Sequence, residues 1–182
     1  MKSSSISYMH KTTMLLQDGF TLLELMAVVA IGGILLAVAL PNYRQMVRNN
    51  CMTSTATGLV ASLQLARSEA IKRRANVSVV AGQPGVGPGP NTNEWGGGWY
   101  VWFDTDGNGS YDADEELRVT IPSCTATIDE TTADRTVMVY GSDGFIFNSG
   151  SFDICIDKTG ETGRQVDISA TGRPNTDHLV CS

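Results

Sequence analysis

The sequence is thin in the residues that most chemistry needs. Of its 182 residues, two are histidine, four are cysteine and 18% are charged. The cysteines stand far apart, at 51, 124, 155 and 181, which excludes the close-paired spacing of a structural zinc site. No Ser-His-Asp order, phosphate loop or dinucleotide fingerprint occurs. The glycine-rich stretches at 85–89 and 96–98 lack the strand-to-helix context of a phosphate cradle. His178 stands alone near the C-terminus and reads as a surface residue. Nothing supports a catalytic role. Basic charge is not in excess either: the formal net charge is −6, which argues against a globally basic nucleic-acid binder. What is present is apolar: a hydrophobic content of 42% excludes a disordered chain, and 19 glycines point to a turn-rich β region.

The mild average charge hides a polarity. Residues 1–19 carry Lys2, Lys11 and Asp18, net +1. Residues 20–75 carry six basic and two acidic side chains, net +4, and residues 76–182 carry five basic and sixteen acidic ones, net −11. The chain reads as a short leader, a basic stem and an acidic head.

Phe20 to Leu40 is a run of 21 residues with one charge, Glu24. As a helix it spans roughly 31 Å, enough to cross a bilayer. A buried core helix is the bland alternative, but such helices rarely run this long without a polar face. A secretory signal peptide would need a small-residue cleavage site after the run; here the run ends Leu40-Pro41-Asn42-Tyr43 and helical patterning continues. A carboxylate inside lipid is costly and marks function by default. A free amine created just before Phe20 in a neighbouring chain would neutralise it.

Asp18-Gly19-Phe20-Thr21-Leu22-Leu23-Glu24 resembles the class III signal of type IV pilins and type II secretion pseudopilins. The resemblance implies that a prepilin peptidase cuts after Gly19 and N-methylates Phe20, that Glu24 is the assembly carboxylate, and that Pro41 bends the helix. It implies an inner-membrane protein crossing once, N-terminus cytoplasmic and head periplasmic, that later enters a pilus filament or pseudopilus. Met1, Met9 and Met14 each offer a start for the leader.

Beyond Pro41 the helical pattern runs to about Arg74, with Leu59, Leu63, Ala66 and Ala70 on one face. Residues 63–73, followed by a Val-rich strand, resemble the FimT/FimU/GspH branch of minor pilins and pseudopilins. The expected fold is α+β, the type IV pilin fold: a long N-terminal helix, transmembrane in its first half and amphipathic in its second, on an antiparallel β-rich head. The expected segments are a leader at 1–19, an assembly helix at 20–48, an amphipathic half at 49–75 and the head at 76–182. Within the head, β segments are expected at 76–80, 98–103, 116–121, 136–140, 145–147, 152–156, 165–169 and 178–181, forming two small antiparallel sheets packed on the stem helix. The loop from Gly82 to Gly98 reads as long and exposed. Arg67, Lys72, Arg73 and Arg74 form a basic cluster, read either as a phosphate contact or as a solvated helix C-terminus.

Residues 104–115 fit the twelve-residue calcium-loop pattern, with oxygens from Asp104, Asp106, Asn108, Asp112 and Glu115 and the Ser110 carbonyl. An EF-hand needs flanking helices, whereas strands are expected on both sides here, so a polar hairpin tip is the competing reading. A periplasmic head favours disulfides. Four cysteines permit three pairings; the resemblance implies Cys155–Cys181, stapling the last strand to the head, with Cys51–Cys124 then tying stem to head. DNA-binding FimT-like pilins carry a Gly-Arg-x-Arg motif near the C-terminus. This chain keeps Gly172 and Arg173 but has Asn175 in place of the second arginine, leaving Arg164 and the stem cluster to compensate, while the acidic head opposes DNA.

The resemblance therefore implies a non-enzymatic minor pilin that helps initiate a type IV pilus, with prepilin peptidase, major and minor pilins and the inner membrane as partners. The alternatives are a type II secretion pseudopilin and a DNA-binding minor pilin for DNA uptake.

Overall fold

The computed structural model describes residues 20–82, 94–109, 111–156 and 160–181. Residues 1–19, including Gly19, together with Ser110 and most of the Gly82–Gly98 loop, lie outside the described residues. The chain divides into two compact units, one ending at Asn42 and the other running from Tyr43.

One helix, α1, spans Leu22–Arg73. Thr21 caps its start: the Thr21 hydroxyl accepts the Glu24 amide at 3.2 Å, satisfying one of the orphan donors of the first turn. Pro41 lies inside the helix, and the Asn42 side chain donates to the Val38 carbonyl at 3.1 Å. The helix ends where Arg74 turns left-handed (φ 56°) and the Ala75 amide reaches back to the Ala70 carbonyl at 3.2 Å, a Schellman-type stop made without glycine.

In the unit from Tyr43, Met52, Ala56, Leu59, Leu63, Ala66 and Ala70 recur every three or four residues and are buried. The strands are β1 (Val77–Ala81), β2 (Trp99–Trp102), β3 (Glu116–Thr120), β4 (Thr127–Glu130), β5 (Val137–Tyr140), β6 (Gly150–Cys155), β7 (Thr162–Ile168) and β8 (Pro174–Val180), and the helix stripe shares one core with side chains of the first seven. The strands form two four-stranded sheets, ordered β3-β2-β1-β5 and β4-β6-β7-β8, with every pairing antiparallel. Each fully buried Leu or Ile contributes about 1.5–3 kcal/mol relative to exposure. One polar chain crosses the seam: the Trp99 indole donates to Ser62 Oγ at 2.9 Å, and Ser62 Oγ lies 3.0 Å from the Gly58 carbonyl and 3.3 Å from Thr120 Oγ1. The buried indole therefore keeps a partner, as a polar group out of water must.

Trp95, on a 3-10 turn at Glu94–Gly97, ties the two sheets together. Its indole donates to the Arg135 carbonyl ahead of β5 at 2.8 Å, and its ring meets Phe152 of β6 edge-on at 4.8 Å. Two disulfides add covalent ties. Cys51 of α1 bonds Cys124 in the β3–β4 connection, and Cys155 at the end of β6 bonds Cys181 just past β8. Gly163 faces the second bond so closely that a Cβ there would lie 2.6 Å from Cys181 Sγ.

Two β expectations differ from the structure. Residues 145–147 form no strand; a tight turn closed by the Gly144 amide on the Gly141 carbonyl folds them back, leaving one bridge between Tyr140 and Ile146. The Asn148 side chain then occupies the edge of β5, bonding the Val139 amide and the Val137 carbonyl. Strand β4 was not expected because one of its two inward positions is a carboxylate: Ile128 and Glu130 are both 1% exposed.

Glu130 organises the turn that follows. Its carboxylate accepts the backbone amides of Thr132 (3.1 Å), Ala133 (2.9 Å) and Arg135 (2.9 Å), with Arg135 Nη1 at 3.6 Å. Burial pushes its pKa up, but those amides more than offset it and hold the carboxyl below its usual range. A carboxyl depressed on folding contributes stability that is present above its unfolded pKa and is lost as pH falls through the folded value. Glu130→Gln is expected to cost about 1–3 kcal/mol at neutral pH, the penalty of leaving buried donors unmatched. That deficit should shrink as pH drops below the ordinary carboxylate range, read as converging melting curves of mutant and parent.

Candidate functional site

The unit ending at Asn42 exposes the apolar run. From Phe20 to Leu40 no side chain is buried, with Phe20 84% and Leu22 78% exposed. Among the described residues, α1 is the helix long and apolar enough to cross a membrane. An all-apolar surface of this kind is stable only in lipid or against other apolar helices. Glu24 is its one charge. It stands in the first turn, where a carboxylate suits the positive helix end. Its amide is used by the cap, and Glu24 lines a shallow apolar depression with Phe20, Leu25 and Val28. The pattern Thr21-x-x-Glu24 is a capping-box signature that marks Thr21 in the sequence itself. The cap fixes Glu24 one turn from Phe20 on the same helix start.

In the head, Asp104, Asp106 and Glu115 converge, with one oxygen from each within 4.8 Å of the others. Strands β2 and β3 position them, as a hairpin does. Their oxygens already have protein donors. Glu115 is buried and accepts the Trp102 indole (2.9 Å) and the amides of Thr105 (2.5 Å) and Asp106 (3.3 Å). The Trp102 hydrogen bond is the chief cause that lowers its pKa. Asp104 accepts the amides of Gly107 and Gly109, and Asp106 accepts the amide and side chain of Asn108, which also donates to Asp112. The donor set is that of a tip closed by its own amides.

The basic candidates separate. Arg164 on β7 donates to Thr53 Oγ1 of α1 at 3.2 Å and contacts the His178 ring at 2.7 Å. Arg173 stands beyond the other end of the β7–β8 ladder, where Ile168 pairs Pro174, so the two arginines do not share a site. Gly172 (φ 74°) is fixed by the turn: a Cβ there would lie 2.6 Å from the Gly144 carbonyl and 2.7 Å from the Tyr140 ring. In the stem cluster, Lys72 and Arg73 bind Glu69 at 3.0 and 2.7 Å, Arg73 also stacks on Phe103, and Arg67 Nε donates to the Gly144 carbonyl. Those contacts give three of its four cations structural work.

The sequence matches two families: Type II transport protein GspH over residues 55–172 and the prokaryotic N-terminal methylation motif over residues 14–40. The fold is similar to crystal structures of the type IV minor pilin FimU of Pseudomonas aeruginosa strain PAO1. One, in space group P21, is 27% identical with a TM-score of 0.57, covering 71% of this chain and 90% of that one. The other, in space group P65, is 26% identical with a TM-score of 0.54, covering 69% and 91%. No curated protein sequence matches. A GspH match across most of the head, the methylation motif at the start of the apolar helix, and the FimU-like arrangement of helix and sheets agree: the chain belongs to the GspH family, as a type IV minor pilin or pseudopilin of the FimT/FimU/GspH branch.

Proposed function

We propose that the protein is a minor pilin, cut after Gly19 and N-methylated at Phe20 by prepilin peptidase, that enters a type IV pilus and helps initiate it. The observation that carries this reading is the exposed apolar run Phe20–Leu40, whose single carboxylate, Glu24, lies in the first turn of α1. The mechanism is packing. Apolar helices leave the inner membrane by bundling in the filament, and Glu24 neutralises the N-terminal amine of a neighbouring subunit, where neither charge is tolerated alone. The head stays outside the bundle. Glu24→Ala is expected to be processed normally yet to reduce surface pili severely, counted by electron microscopy; normal pilus numbers would remove the role given to Glu24.

A second reading, a pseudopilin of type II secretion, has the support of the GspH match over residues 55–172. The same helix chemistry serves either machine, and neighbouring genes distinguish them: a minor-pilin cluster for the first, a secretion operon for the second.

The retained Gly172-Arg173 pair supports DNA binding, but Gly172 has a packing reason of its own and Arg164 is engaged elsewhere. Against a net head charge of −11, we expect no mobility shift of duplex DNA at low salt, where phosphate contacts are strongest. A shift abolished by Arg173→Ala would establish the uptake reading.

For the hairpin at 104–115 we infer a self-closed tip that holds its form without calcium. Millimolar calcium should leave the melting temperature unchanged, whereas Glu115→Gln should lower it, because one amide oxygen cannot replace the two carboxylate oxygens that accept two backbone amides and an indole. Chelator-sensitive melting would overturn this and assign calcium to Asp104, Asp106 and Glu115.

A further inference from the structure

Two arginines, Arg67 of α1 and Arg173 of the head, keep guanidinium donors in reserve. Arg173 is exposed, and its guanidinium makes no hydrogen bond or ion pair among the described residues. Arg67 uses Nε on the Gly144 carbonyl and has no other partner among them. Both line one depression of about 480 Å³, walled by Gln64, Ser68, Ile71 and Pro174. On its other flank Arg173 borders a second depression of about 330 Å³, rich in hydroxyls. Ser151 of that second wall buries an Oγ with no partner.

The chemistry selects the occupant. Neither depression has an aromatic lining residue, so neither offers the stacking platform on which nucleic-acid bases rest. Asp167 lines only the second depression, so the first, with two guanidiniums and no acidic lining residue, is the seat for negative charge. Two guanidiniums beside an apolar wall, with hydroxyls for a peptide backbone, suit a short polypeptide segment that carries carboxylates.

The same chain displays such a segment. Asp112 and Asp114 are exposed at the tip of the β2–β3 hairpin. Asp112 is bonded through one oxygen to Asn108, and Asp114 has no partner among the described residues. We propose that the groove around Arg67 and Arg173 docks Asp112 and Asp114 of a second copy of this chain. Groove and hairpin are different surfaces, so the contact is heterologous and extends head to tail instead of closing a two-fold dimer. It concerns heads alone and needs no membrane helix, so its failure leaves the role of Glu24 untouched.

The test uses the full chain, one copy per lipid nanodisc so that the apolar helices cannot pair, with association followed by light scattering. The parent should associate with rising concentration at low salt and less so at high salt. Arg173→Glu alone, and Asp112→Arg with Asp114→Arg on one chain, should each weaken self-association about tenfold or more, as expected for removing one side of a charge-matched contact. Both variants change exposed side chains, and unchanged melting temperatures would confirm that they fold. Mixing the two variants should restore a contact, because one keeps an intact hairpin and the other an intact groove, and should stop at dimers. The proposal is overturned if the parent stays monomeric at every concentration, if Arg173→Glu associates like the parent, if the mixture stays monomeric, or if Arg173 governs binding of a single-stranded oligonucleotide instead.

Discussion

The head depends on one seam. Helix residues Met52, Ala56, Leu59, Leu63, Ala66 and Ala70 share a single buried cluster with inward side chains of both sheets. Neither four-stranded sheet has a second layer of its own to bury its inner face, and a sheet with one bare apolar face is not stable in water. The small residues on the helix matter as much as the leucines. At Gly58 a Cβ would sit 3.6 Å from both the Trp99 ring and the Thr120 methyl, and Ser62 fits beneath the same indole. Gly58 and Ser62 face the broad Trp99 ring, and Ser62 supplies its hydrogen-bond partner.

The helix also joins two opposite demands in one element. Up to Leu40 its side chains, Glu24 apart, are apolar and exposed; from Cys51 onward a largely apolar stripe is buried and most charged side chains lie off it. The change is written as a change of pattern, from an unbroken run to a repeat of three and four. Hence the long helix and its burial stripe were legible from sequence, as were two antiparallel sheets. The register of methylation motif, Phe20 and Glu24 was legible too, because it is local and needs no tertiary context.

What stayed illegible was set by contacts distant in sequence. Strand β4 hides behind Glu130, whose inward carboxylate breaks the alternation by which a strand is recognised. Its burial makes sense only once the amides of Thr132, Ala133 and Arg135 are seen to surround it. Phe145 to Phe147 has a strand-like composition, but its edge partner is taken by the Asn148 side chain, which composition does not reveal. The calcium-loop pattern is met at its formal positions, and three of its carboxylates converge while also accepting backbone amides. Spacing alone does not separate an oxygen that waits for an ion from one already bonded to an amide. The basic cluster likewise looked like one surface, but Glu69, Phe103 and the Gly144 carbonyl divide it.

The bond between Cys51 and Cys124 has a mechanical meaning. Cys51 is the first buried residue of the helix, the point where it enters the seam, and its partner is 73 residues further along the chain. Tension arriving along the helix from its N-terminal side would otherwise act on the seam residue by residue, peeling the helix from the sheets one turn at a time. With the bond in place, the load passes at the entrance through a covalent link into the β3–β4 connection, and the noncovalent packing behind it is shielded. A subunit built this way resists pulling at its stem by the strength of a bond, whereas the packing alone would have to yield only one contact after another.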